Sequence, residues 1–339
     1  MKQAAVRDSA GDPFGERTAC SLRTRAAVLG GVFEFESNDR ALLRLVDSVY
    51  QGLPAHTFGA APPRFRIRLL LSNQKGPATG DEAPPVRMHA GGGFLCGTMD
   101  AANFAVVSPT QRTGLVTLSR NMLRHAHTAR YELIEFAVYT LAARAQQLVS
   151  MHAACVGRNG RALLLIGDGG AGKSTLALHC LLQKMELVAE DGVFVEPDTL
   201  RATGIGTHLH LRADSLEHLR QAGDDAWIRR SPVIRRRSGV EKFEIDLRHT
   251  RYRIARTPPE LAGVIFLSKQ RVSQRSKRPL LAPLRKSEFL ERLRANQPYA
   301  ANQPGWAIFR KRISGVRAFE LRRGQHPGEG VEALRGIID

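Results

Sequence analysis

The sequence predicts an α/β chain organised around a phosphate-binding loop, and three observations carry that reading. A short apolar run, Ala162 to Ile166, leads into Gly167-Asp168-Gly169-Gly170-Ala171-Gly172-Lys173-Ser174, which is G-x-x-x-x-G-K-S with every fixed position filled. The next segment, Leu176 to Leu182, reads as a helix, so strand, loop and helix follow in the order the motif requires. Further strand-length apolar runs and helical segments precede the motif, giving the first part of the chain a mixed α/β character.

Each residue type in the loop has a physical reason. The backbone from Asp168 to Gly172 must fold back so that its N–H groups converge on phosphate oxygens, and glycine permits the angles this needs. The helix starting near Lys173 adds the positive end of its dipole. Lys173 places an ammonium between the β- and γ-phosphates, and the Ser174 hydroxyl is the usual Mg²⁺ ligand. The expected nucleotide-binding set is therefore Gly167, Asp168, Gly169, Gly170, Ala171, Gly172, Lys173, Ser174 and Thr175, with ATP and Mg²⁺ as the implied cofactors.

The elements follow in order. Residues 1–24 are polar, carry Gly11, Pro13 and Gly15, and read as a loose arm. Residues 25–126 form an N-terminal α/β domain. Its strands are expected in Ala26 to Glu36, Arg64 to Leu71, Phe104 to Val107 and Gly114 to Leu118. Its helix runs from Asp39 to Tyr50, capped by Asn38 or Asp39. Gly76 to Pro85 is a loop. Residues 127–339 form the phosphate-loop domain, entered by a connecting helix over 127–149. That helix has Ile134, Val138, Leu141, Ala145 and Leu148 on one face and Glu132 and Glu135 near its start. Met151 to Val156 reads as one strand and Arg158 to Arg161 as a turn. Leu187 to Ala189 and Val193 to Val195 are strands on either side of Glu190-Asp191-Gly192. Gly263 to Leu267 and Val316 to Leu321 are further strands, Gln270 to Arg278 a basic loop, and Ser287 to Ala295 a helix with Ser287 as its cap. A loop and a weak terminal helix follow Gly324.

Composition bounds the partners. The chain of 339 residues has no apparent signal peptide and no run long enough to span a bilayer, so a cytoplasmic protein without a membrane partner is expected. Cys20, Cys96, Cys155 and Cys180 form no C-x-x-C pair and read as free thiols. The net charge of +18 has three readings: attraction to an acidic partner, an arginine-rich surface from codon bias, or compensation of the nucleotide's own charge. Between Ile228 and Arg256 there are ten Lys/Arg against three Asp/Glu. No aromatic interleaving suited to base stacking accompanies them, which disfavours nucleic acid.

Phosphoryl transfer also needs a carboxylate near Mg²⁺ and a group that accepts the proton of the attacking hydroxyl. Glu190 and Asp191, at the C-terminal end of an apolar strand, sit where α/β sheets place ligand-contacting groups. Neighbouring strand side chains point opposite ways, so one of the two is expected to face the nucleotide, and Asp191 is favoured. His152, the loop and Glu190-Asp191 together resemble the catalytic domain of bacterial HPr kinase/phosphorylase. They resemble more closely the HPr-kinase-related proteins with a different N-terminal part, some of which belong to lasso-peptide clusters. The resemblance covers roughly His127 to Val195. It implies a kinase domain of the HPr kinase/phosphoenolpyruvate carboxykinase type. Asp191 would be the base toward a substrate serine, Lys173 the charge-stabilising cation, His152 a neighbour of the phosphates, and Ser174 with Glu190 the metal ligands. Glu190 departs from the family, where Asp is usual. Lys242 is a solvated lysine or a phosphate contact. The resemblance further implies a protein or peptide substrate such as a ribosomal precursor peptide, and, from the family's hexamers, a homo-oligomer. Other readings are a non-catalytic ATP-binding module and a small-molecule kinase or carboxykinase-like enzyme. A transport ATPase is disfavoured, since no LSGGQ-like signature occurs.

Overall fold

Side-chain alternation explains the central sheet. In the strand Arg161–Ile166, Ala162, Leu164 and Ile166 enter one buried cluster, while Leu163 and Leu165 enter another on the opposite face. A strand covered on both faces must be apolar throughout, which is why it reads as an unbroken run. The computed structural model describes residues 18–72, 83–220, 225–236, 239–272 and 279–338.

This strand lies inside a seven-stranded mixed sheet. The spatial order is Arg253–Ile254, Glu186–Ala189, Ala154–Arg158, Arg161–Ile166, Glu260–Arg271, Arg317–Arg323 and Leu281–Pro283. Arg161–Ile166 runs parallel to Glu260–Arg271 and antiparallel to Ala154–Arg158, which is antiparallel to Glu186–Ala189. Glu186–Ala189 therefore points the same way as the loop strand, and both end at the same edge of the sheet. Helices Lys173–Leu182 and Pro327–Ile338 cover one face; Lys286–Asn296 and Trp306–Ile313 cover the other. Two three-stranded sheets flank the site. One orders Ala202–Gly204, Gly192–Val195 and Val149–His152; the other orders His208–Leu211, Glu241–Asp246 and Val233–Arg235.

The first part of the chain has its own core. Its sheet orders Leu22–Val28, Gly31–Ser37, Arg64–Ser72, Thr113–Ser119, Phe104–Ser108, Phe94–Thr98 and Arg87–Gly91. Helix Arg40–Tyr50 packs there through Leu42, Val46 and Val49. Its last carbonyls, Asp47, Ser48 and Gln51, receive the Arg248 guanidinium at 3.3, 3.0 and 2.9 Å, a cap supplied from the other half of the chain.

Several expectations change. The helix over 127–149 is a composite: a 3₁₀ turn at Asn121–His125, an α-turn at Ala126–Ala129, a π-turn at Arg130–Ile134 and an α-helix at Glu135–Gln146. It stops because Gln147 takes φ 54° and Leu148 N–H returns to Ala143 O at 2.9 Å. Ile134, Val138 and Leu141 are buried in the first core, as their spacing suggests. Glu135 is buried in an ion pair with Arg130 and does not serve as an exposed dipole charge. Met151 to Val156 is two strands in different sheets, Val149–His152 and Ala154–Arg158, separated at Ala153. Asp39 caps the first helix, accepting from Ala41 N–H at 2.7 Å, while Asn38 pairs with the backbone of Leu71. Ser287 is inside its helix, whose cap is Arg285 without a side-chain bond. The hairpin Arg87–Thr98 was not expected; Gly92 and Gly93 turn it with φ 58° and 82°. The strand Glu260–Arg271 is longer than the expected Gly263 to Leu267, taking Gln270 and Arg271 from the basic loop. Residues 273–278 of that loop, 76–82 of the earlier one and 1–17 of the arm lie outside the described residues, and Leu22 to Thr24 of the arm are strand. Among the described residues no helix is long and apolar enough to cross a membrane. All four cysteines are free.

Two buried histidines set an acid limit on stability. His179, on the helix after the loop, stacks edge-on with His326 at 5.0 Å, and its Nε2 is buried without a hydrogen-bond partner among the described residues. Burial and the two neighbouring histidines push His179 down to about 4, and burial pushes His208 down to about 4. The unfolded chain, with histidines near 6.5, binds protons that the folded chain refuses between those values, so stability falls as pH drops from about 6.5 to about 4. Thermal unfolding followed across that window should show the fall, and His179→Phe should flatten its slope by about one proton.

Candidate active site

The loop's shape follows from its glycines. Gly172 has φ 102°, a conformation closed to most side chains, and it starts the helix Lys173–Leu182. Gly167 is a case of close approach: a Cβ there would lie 2.9 Å from Ala171 Cβ and 3.2 Å from Leu267 Cβ. At Gly169, Gly170 and Gly172 a Cβ would meet nothing within 4 Å, so no side chain packs against the loop at those positions. Arg323, on the strand Arg317–Arg323 two places from the loop strand in the sheet, donates to Gly170 O at 2.6 Å. Thr175 faces away, sharing a 2.8 Å hydrogen bond with Ser215.

Lys173 is almost fully buried. Its Nζ donates to Gly167 O at 2.6 Å and lies 3.2 Å from His152 Nε2. An ammonium offers only donors, so Nε2 of His152 must accept, which puts the ring proton on Nδ1. That nitrogen lies 3.0 Å from Asp191 Oδ1. One imidazole thus links the loop lysine to the carboxylate at the strand tip. Burial lowers Lys173 from its ordinary value, opposed by the charges of Asp191 and Glu190.

Glu190 and Asp191 both lie past the end of the strand Glu186–Ala189. The alternation that would send them to opposite faces no longer applies, and both approach the loop's end of the sheet. Glu190 is 4% exposed and accepts the Ser174 hydroxyl proton on Oε1. The Asp191 side chain keeps 35% of its exposure and reaches His152 and, at 3.4 Å, Arg236. The exposed carboxylate is the one a substrate hydroxyl can reach; the buried one is fixed on Ser174. Burial would raise Asp191, but the His152 bond and the charges of Arg236 and Lys242 outweigh it and hold the carboxyl well below the usual range. Lys242 thus acts electrostatically on this site, where the sequence left its role open.

Behind Glu190 runs a buried chain of charges that sequence reasoning missed. Glu190 Oε2 is 3.0 Å from His210 Nδ1, and His210 Nε2 is 3.2 Å from Glu244 Oε1. Ionised carboxylates only accept, so a ring bonded to both carries two protons and a positive charge. Burial would lower His210, but the two carboxylates raise it. Glu244 in turn pairs with Arg130, whose Nε lies 3.4 Å from Glu135. Arg130 and Glu135 belong to the helix packed in the first core, so the chain of charges ties the loop to the other half of the molecule. Arg236 also lies over the Tyr131 ring at 4.2 Å and donates to its hydroxyl at 3.0 Å. The basic run between Ile228 and Arg256 was the sequence signal for Arg236. His210 and Glu244 gave none, because their register on paired strands is set only by the fold.

The oxygen donors Ser174 and Glu190, already in contact beside the phosphate loop, suit a hard cation such as Mg²⁺. Among the described residues no three His, Cys, Asp or Glu side chains converge as an all-protein metal cage.

No family model matches the chain, and no match was found among curated proteins. Among solved structures the chain is similar to the Hpr(Ser) kinase/phosphatase from Coxiella burnetii, at 14% identity and a TM-score of 0.29, covering 55% of this chain and 94% of that one. The reading of the site rests on the contacts within this chain.

Removing the middle of the buried charge chain tests its weight. His210→Leu leaves Glu190 and Glu244 without their shared cation and should cost about 3–5 kcal/mol of unfolding free energy in a denaturant titration. A loss below about 1 kcal/mol would mean that the two carboxylates are solvated independently of the ring.

Proposed function

We propose that the chain is an ATP-dependent kinase that transfers the γ-phosphoryl group to a serine hydroxyl of a protein or peptide. The observation that carries the reading is the line Lys173–His152–Asp191, with contacts of 3.2 and 3.0 Å, which sets an accessible carboxylate beside a phosphate-loop lysine. A bare phosphate cradle would not need it.

The loop amides and the N-terminus of helix Lys173–Leu182 receive the nucleotide phosphates. Ser174 and Glu190 would hold Mg²⁺, which would supply neutralisation of the phosphate charge. Lys173 leaves its resting bond with Gly167 O to stabilise charge on the transferred group. Asp191 accepts the serine O–H proton as the serine oxygen bonds to the γ-phosphorus. The bond from that phosphorus to the β,γ-bridging oxygen breaks, and ADP leaves with the electron pair. His152 keeps Asp191 aimed, and Arg236 balances its charge. Because its partners lower Asp191, the carboxylate is ionised throughout the neutral range and ready to accept. A folded peptide loop or a flexible peptide fits the exposure of Asp191 equally, and the cationic surroundings favour an acidic one.

The strong stabilisation of ionised Asp191 also favours one rival, an ATP-binding module that transfers nothing, because a carboxylate held by His152 and Arg236 is a weak base. The two readings separate in one experiment with γ-labelled ATP, Mg²⁺ and peptides encoded beside the gene. A serine kinase puts label on a polypeptide serine. Asp191→Asn should then lower the transfer rate roughly 10²- to 10⁴-fold while ATP affinity stays within a few-fold. Label appearing only in a small molecule, or no transfer by the unaltered chain, contradicts the proposal.

A further inference from the structure

The strand that carries His152 has an unusual outer edge. On its inner side Val149–His152 pairs with Gly192–Val195, in the register His152↔Gly192 and Phe194↔Ser150. Among the described residues no strand completes the ladder on the outer side. Two glutamine side chains do so instead. Gln297 Oε1 accepts from His152 N–H at 2.9 Å and Gln297 Nε2 donates to His152 O at 3.0 Å. Gln303 repeats the same pair on Ser150, at 2.9 and 3.0 Å. Both glutamines are buried, with 3% and 7% exposure. Each primary amide has the donor and acceptor of a peptide unit, so each replaces one residue of an absent neighbouring strand.

The two clamps differ in what they hold. Ser150 has no part in the site. The side chain of His152 joins Lys173 to Asp191, and it keeps 60% of its exposure, so little packing fixes its ring. The position of that ring is therefore set by its backbone. The inner side of His152 is fixed near Asp191 as well, since the next residue's N–H, Ala153 N, donates to Asp191 O at 3.1 Å. Gln297 fixes the outer side from the segment between helices Lys286–Asn296 and Trp306–Ile313.

We propose that Gln297 is a positioning residue of the active site: its amide, clamped on both backbone groups of His152, holds the imidazole where it can bridge Lys173 and Asp191. This rests on the kinase reading of the site. The matching clamp of Gln303 on Ser150 supplies the control, since it has the same chemistry, strand and burial without the histidine.

The experiment compares Gln297→Ala, Gln303→Ala and Gln297→Met, which keeps the length of the side chain and loses both hydrogen bonds, in the full-length chain. The two alanine variants should lose similar amounts of thermal stability, because each removes one amide pair. Gln297→Ala should lower kcat for phosphoryl transfer about 10- to 100-fold with ATP affinity unchanged, and Gln303→Ala should leave kcat within about twofold. Gln297→Met should fold even if Gln297→Ala does not, because it leaves no cavity, and should also lower kcat. Equal kcat in all variants, or equal losses at both glutamines, overturns the proposal. Imidazole ¹⁵N spectra give a readout independent of turnover, and so separate failure of the clamp from failure of the kinase reading. The hydrogen-bonded Nδ1–H signal of His152 should disappear or broaden in Gln297→Ala and persist in Gln303→Ala. Its persistence in Gln297→Ala overturns the proposal even if the unaltered chain transfers no phosphate.

Discussion

The site depends on one imidazole having two different neighbours. An ammonium on one side of His152 and a carboxylate on the other leave the ring a single consistent proton arrangement, with Nε2 accepting and Nδ1 donating. That constraint fixes the distance between the phosphate loop and the strand tip. Without it Lys173, at a helix start, and Asp191, at a strand tip, would be two opposite charges free to collapse into a direct pair. With the ring between them, the lysine stays over the loop and the carboxylate stays at the rim. The backbone of His152 is in turn held on its outer edge by Gln297, and the next residue's N–H, Ala153 N, donates to Asp191 O on the inner edge.

A second constraint acts at greater depth. Glu190, His210, Glu244, Arg130 and Glu135 form an alternating series of negative and positive groups, buried from Ser174 to the helix of the first core. Each buried charge would be costly alone, and each has an opposite neighbour. The π-turn at Arg130–Ile134 makes this geometry available. A wider turn displaces the helix register by one residue, and Arg130 at its start is left facing Glu244 and Glu135. Arg248, capping the first helix from the far half of the chain, adds a third tie between the halves. The first part of the chain, which has no chemistry legible in its sequence, thus anchors the residues behind Glu190.

What could be read from sequence was what local pattern encodes. The loop, its strand and helix, and the carboxylates at the next strand's tip are each specified by residues within a few positions of one another. The split between Val149–His152 and Ala154–Arg158 was invisible, because a continuous apolar run does not say when a chain changes sheet. The hairpin Arg87–Thr98 escaped notice because its outer strand is exposed on both faces and so carries no alternation. The π-turn was hidden since the apolar positions that show helical spacing, from Ile134 onward, begin only where it ends. Gln297, His210, Glu244 and Arg236 reach the site from strands and loops far along the chain, and only tertiary packing brings them there. The opposite-face rule for Glu190 and Asp191 failed for a specific reason: it applies inside a strand, and both residues lie beyond the last paired position.

The most direct measurement is a crystal structure of the chain with a non-hydrolysable ATP analogue and Mg²⁺. The account expects the analogue's phosphates in the loop, Ser174 and Glu190 on the metal side, and Asp191 still bonded to His152 with its free oxygen turned toward the terminal phosphate. Triphosphate in the loop with Asp191 swung away to Arg236, its bond to His152 broken, would contradict it.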